Sequence, residues 1–149
     1  MVITTEQELV EYVITLLESN LTDPAGRTKK WIYDDIPRED ISGYPRIAVL
    51  PVSTNLDSLG IGTLDRLSEM SFTIDIYTRK RDKFTINSEL KRAEQIIDYL
   101  GNEVINIIKN NYNSFVEEGI YYIIPITKTK DELDNRLVLR IVFKASNRQ

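Results

Sequence analysis

The sequence predicts an α+β domain in which two main amphipathic helices pack on a mainly antiparallel β-sheet. Three observations lead there. Apolar residues recur at helical spacing in two stretches, residues 5–20 and 87–111. Pairs of β-rich runs lie between and after those stretches, which gives the order α-β-β-α-β-β. A chain of 149 residues, 42% hydrophobic and 28% charged, is large enough to bury one core without metals or crosslinks. No repeat, low-complexity tract or linker divides it, so residues 1–149 are expected to form a single domain.

Taken in order, the first helix is announced by Thr5 and Glu8 at capping-box spacing, with Leu9, Val13, Leu16 and Leu17 as its apolar stripe. Its other positions include Glu6, Glu8, Glu11 and Glu18, and no basic residue precedes Arg27, so this helix presents a negative face. Residues 22–45 mix turn residues, aromatics and acids without periodicity and read as a connector holding a short strand at most. "RIAVLPVS" at 46–53 is almost continuously apolar, as in a strand covered on both faces, and Pro51 marks a bulge or exit near its end.

Gly60 and Gly62 place a loop or a long hairpin arm at 54–66. Met70, Phe72, Ile74 and Ile76 then alternate with Ser71, Thr73, Asp75 and Tyr77, the pattern of a strand with one buried face. A basic turn follows at 79–83. Asn87 or Ser88 is expected to cap the second helix, whose stripe of Leu90, Ala93, Ile97, Leu100, Val104 and Ile107 is widened by Ile96, Ile105 and Ile108. A stripe that wide lies across a sheet, and Gly101 either bends the helix or allows close packing. "IYYIIPIT" and "RLVLRIVFK", separated by the polar "KTKDELDN", read as a terminal hairpin with Leu137, Leu139, Ile141 and Phe143 inward.

Composition removes much chemistry. With neither cysteine nor histidine there is no disulfide, thiol nucleophile or imidazole base, and carboxylates are the only strong metal-binding side chains. No cofactor motif is present: "GIG" lacks the third glycine of a dinucleotide fingerprint, and "AGRTKK" lacks P-loop spacing. A net charge of −4 argues against a general nucleic-acid binder, while leaving room for a local basic patch. Apolar runs are too short to cross a bilayer, and the N-terminus lacks a basic-then-apolar signal, so a protein made in the cytoplasm, or in something assembled there, is expected.

The sharpest enzymatic possibility is a divalent-metal nuclease site built from Glu69, Asp75 and Lys80. The spacing opposes it: Lys80 lies five residues beyond Asp75, an odd offset that turns its side chain to the other face of a continuing strand. Asp75 reads instead as a strand residue paired across the sheet, with Arg136 or Arg140 as suitable partner. No catalytic or metal residue is assigned. The basic cluster Arg79, Lys80, Arg81 and Lys83 and the acids Glu8, Glu11 and Glu18 are candidates for a subunit interface or a DNA-proximal rim, against the plainer reading of a solvated turn and helix face.

With these elements in place, the chain resembles the tail terminator and tail-completion proteins of tailed viruses and the related neck and head-tail joining components. The likeness rests on the N-terminal helix, "GYPRIAVLPV", "SFTIDIYT", "NSELKRAEQIIDYLGNEVINII" and "LDNRLVLRIVFKA". It implies a sheet flanked by helices and a structural rather than catalytic role. Subunits would form a ring, typically a hexamer, that terminates the tail tube, meets the neck or head-closure protein and lets double-stranded DNA pass. The location implied is the virion. Two other readings are a nucleic-acid-processing nuclease and a small adaptor that binds protein through residues 54–66.

Overall fold

The computed structural model describes residues 2–36, 43–58 and 66–148. The chain runs α1 (Glu6–Asn20), β1 (Ile32–Tyr33), β2 (Arg46–Ser58), β3 (Arg66–Arg79), β4 (Lys83–Ile86), β5 (Glu89–Arg92), α2 (Ala93–Asn110), α3 (Tyr112–Glu117), β6 (Ile120–Leu133) and β7 (Arg136–Arg148). Five strands form one sheet in the order β1-β2-β3-β7-β6, and β4 with β5 forms a separate ribbon. The sheet is antiparallel except at β1, which runs parallel to β2, so it is mixed where a mainly antiparallel sheet was expected. The last strand, β7, inserts between β3 and β6 and so becomes an interior strand.

Alternation decides which side of the sheet is covered. Ile47 and Val49 of β2, Phe72, Ile74 and Ile76 of β3, and Leu137, Leu139, Ile141 and Phe143 of β7 point to one face and join the main core. The register places like against like: Ile76 faces Leu139, Ile74 faces Ile141, and Phe72 stacks on Phe143 with ring centroids 5.1 Å apart. Helices α1 and α2 cover this face, contributing Leu9, Val10, Val13 and Leu17, and Ile96, Ile97, Leu100 and Val104. Each large side chain buried here contributes roughly 1.5–3 kcal/mol before conformational entropy is counted. The opposite face carries a smaller cluster of Tyr44, Ala48, Tyr77 and Val138, so the connector shields part of it.

The capping of α1 follows its sequence signal, since Thr5 Oγ1 accepts the Glu8 amide at 3.2 Å. A bulge also occurs where Pro51 suggested one, with the β2/β3 register shifting between Pro51 and Ser53. Three expectations need correction, and one short helix joins the two that were expected. Residues 83–92 are the β4–β5 hairpin rather than the start of the second helix: Asn87 and Ser88 take φ of 53° and 67°, the paired left-handed geometry of a tight hairpin turn, and α2 begins at Ala93. Leu90, assigned to the helix stripe, is therefore 65% exposed. The polar "KTKDELDN" does not separate two short strands but continues β6 to Leu133 before a tight turn in which Asp134 has φ 51°. Finally, α3 joins α2 to β6, burying Phe115 edge-on against Tyr12. At 54–66, the arm alternative holds for the described residues, because β2 pairs with β3 out to Ser58 and Arg66; residues 59–65 lie outside them.

Gly101 does not bend α2. It lets the helix approach β7 so closely that a Cβ placed there would lie 2.5 Å from Leu139 Cδ2, and Leu139 is fully buried. We expect Gly101→Val to lower the unfolding free energy in urea by about 2–4 kcal/mol, despite the poor helix propensity of glycine, and Leu139→Ala in the same chain to recover part of that loss. Two losses that simply add would mean the sites do not touch.

Candidate interaction surfaces

The sheet end formed by the starts of β2 and β7 and the finish of β3 gathers basic side chains. Arg79 closes β3 opposite Arg136, and its guanidinium sits 5.1 Å from the Tyr44 ring centroid. Asp82 shapes the turn by accepting the Arg79 amide at 3.0 Å. Lys80 bends back to Glu132 at 3.1 Å. Arg81 and Lys83 are exposed and point to solvent. Of the four predicted basic residues, two are thus tied into the fold and two are available to a partner.

The acids are held on α1. Glu8 accepts the hydroxyls of Thr4 and Thr5, each at 3.0 Å, and these bonds hold its carboxyl below the usual value near 4.5. Glu11 and Glu18, seven residues apart, share an exposed face of the helix. Burial pushes the Glu6 carboxyl upward instead. The Ile3 amide bonds Glu118 and the Ile3 carbonyl accepts from Asn147, so α1 begins at the sheet end opposite the basic turn. Eleven β7 residues, or about 35 Å, separate those ends. The structure therefore does not bring the predicted acids and bases together within one subunit. Only Glu18, near the end of α1, lies beside basic residues, sharing a shallow depression with Arg27, Lys29 and Lys30.

Residues 22–36 hold what the sequence reading left unassigned. Arg27 is gripped by Asp23 at 2.7 Å and also donates to the Pro45 carbonyl. Arg46 pairs with Asp35 at 2.7 Å and stacks 3.8 Å above the Tyr33 ring centroid. Lys30 lies 5.2 Å from the same centroid, and Lys29 is exposed. The signal for this cluster was the basic run followed by aromatics in "GRTKKWIY", but its completion by Arg46 needs the parallel pairing of β1 with β2.

The metal-nuclease arrangement is not assembled. Glu69 pairs with Lys144 at 2.9 Å, Asp75 with Arg140, and Lys80 with Glu132. Among the described residues no group of three or more acidic side chains is placed to hold a metal ion. Of the two suggested partners for Asp75, Arg140 is the one used. It stands directly opposite in register and forks onto the carboxylate with two bonds of 2.9 Å, while Asp75 itself is fully buried. The hydrogen bond to Asp75, with its charge, pushes the Arg140 guanidinium up; burial first, then the Asp75 charge, raises the Tyr77 hydroxyl. Arg136, the alternative, instead lies 5.5 Å from the Tyr77 ring centroid.

The molecule is thus an α+β domain whose charged groups form surfaces and internal ties. No family model and no curated protein matches the chain. Among solved structures, its fold is similar to that of a chain in the virion of a native gene transfer agent (GTA) particle, with a TM-score of 0.53 at 10% identity over 95% of both chains. At that identity the likeness is one of fold. No helix among the described residues is long and apolar enough to cross a membrane.

Removing Arg140 would leave the Asp75 charge buried without a counter-ion. Because Arg140 is half exposed, Arg140→Met is expected to cost about 2 kcal/mol rather than the full penalty of a buried pair. Asp75→Asn in that background should return part of it in urea melts, and no recovery would mean that the pair contributes little.

Proposed function

We propose that this protein is a structural, non-enzymatic virion assembly protein that closes into a ring, terminates a tail tube and joins it to the neck or head. The observation that carries this reading is the fold likeness to a virion chain over 95% of both chains. The charge layout supports it. A closed ring uses a head-to-tail interface, which needs two different patches on each subunit, and opposite charges help select the register. Arg81 and Lys83 supply the available cations, with Arg79 and Lys80 behind them; Glu11 and Glu18 supply the acids, with Glu8 in the same helix. Partners in this reading are further copies of the chain, in the six-fold closure that the family resemblance implies, together with a tube protein and a neck protein. Double-stranded DNA passes through transiently, no cofactor takes part, and the protein resides in the virion.

The test exchanges charges across the contact. Arg81→Glu with Lys83→Glu, and separately Glu11→Lys with Glu18→Lys, should each reduce self-association in sedimentation velocity while leaving the thermal melt unchanged. Mixing the two variants should restore association, because each offers the other a complementary patch. Variants that associate like the wild type would remove this interface. Magnesium- or manganese-dependent DNA cleavage abolished by Asp75→Ala would replace the structural reading with an enzymatic one.

A further inference from the structure

Between α1 and β2 the connector forms a cleft of about 530 Å³, lined by Arg27, Lys29, Lys30, Trp31, Tyr33 and Arg46. Four cations meet there in a chain whose net charge is −4, and among the described residues lining the cleft none is acidic. Asp23 and Asp35 touch the two arginines without lining it and fix their guanidinium planes. Glu18 and Asp23 border the neighbouring depression instead. Gly43, at φ 107°, brings its backbone against Arg27, where a Cβ would lie 3.1 Å from a guanidinium nitrogen. Arg46 is almost wholly buried, and its Nε–H finds no acceptor among the described residues. That nitrogen is itself buried, so Arg46 adds fixed positive charge behind the cleft wall rather than an open donor.

These features describe a receptor for a polyanion rather than for stacked bases. Trp31 is buried, and the Tyr33 ring is engaged by Arg46 and Lys30, so the rings orient cations and do not serve as stacking platforms. A phosphodiester backbone is a narrow ridge of negative charge, which suits a cleft whose described lining carries four cations and no acid. We propose that this cleft holds the backbone of double-stranded DNA without regard to sequence, with Lys29 and Lys30 contacting phosphates and Arg27 and Arg46 adding fixed positive charge behind them. The inference stands on the cleft and not on ring formation.

Fluorescence anisotropy with a mixed-sequence duplex of about 20 base pairs tests it, repeated across about 50–200 mM salt. Binding should weaken with a log–log slope of about −2 to −4, as for two to four phosphates neutralised. Lys29→Glu with Lys30→Glu should cut affinity at least about tenfold, and Lys91→Glu with Lys109→Glu, which lie outside the cleft, less than about threefold, with unchanged thermal melts. Absence of duplex binding by the wild type would overturn the proposal, as would equal losses in the two variants, which would indicate diffuse attraction to the protein surface. Binding of a peptide spanning residues 6–20 at Lys29 and Lys30, without duplex binding, would also overturn it and make the cleft a subunit contact.

Discussion

The closeness of α2 to β7 at Gly101 is the constraint on which the rest of the structure depends. With no side chain at that position the helix lies directly over Leu139 and Ile141 in the middle of the interior strand β7, and that seat fixes the depth at which α2 meets the sheet. Ile96, Ile97, Leu100 and Val104 then reach the face formed by β3 and β7. Along its flank the same seat brings Asp98 within 2.7 Å of Lys130 and Asn102 within 3.3 Å of Lys128, so the polar half of β6 is tied to the helix. The first turn of α2 arrives beside Lys80 and Glu132, which places the β4–β5 ribbon and the basic turn at one end of the sheet.

On the opposite face a different rule operates. Alternation puts Asp75 in the polar register, but the connector and the neighbouring strands bury it, and a buried carboxylate must be paired. Arg140 meets that need from the facing strand. The pair that superficially resembles part of a metal site is thus a consequence of sheet burial. The connector covers this face through Tyr44 while raising Lys29 and Lys30 outward, so one segment both shields the sheet and builds a charged surface.

Much of this was legible in the residues. Thr5 and Glu8, the alternation from Met70 to Ile76, the bulge at Pro51 and the inward Leu137, Leu139, Ile141 and Phe143 are local signals with local causes, and the structure repeats them. The rest was hidden where one residue type serves two geometries. Asn87 and Ser88 suit a helix cap or a left-handed hairpin turn equally, and Leu90 falls in phase with the helix by coincidence. "KTKDELDN" looked like a loop because its residues are polar, whereas its backbone pairs with β7 as far as Leu133 and its lysines are tied to Asp98 and Asn102 on α2. The basic turn was visible as a cluster, but which of its members are free is decided by Tyr44 and Glu132, distant in sequence.

The proposed ring would repeat around an axis a domain with one seated helix pair, a partly shielded second face and outward charges at separate places. Mass photometry combined with negative-stain imaging of the wild-type protein, alone and with a tail tube, tests that claim most directly. A closed ring with a single whole-number stoichiometry is the predicted result. A strict monomer under both conditions would contradict it.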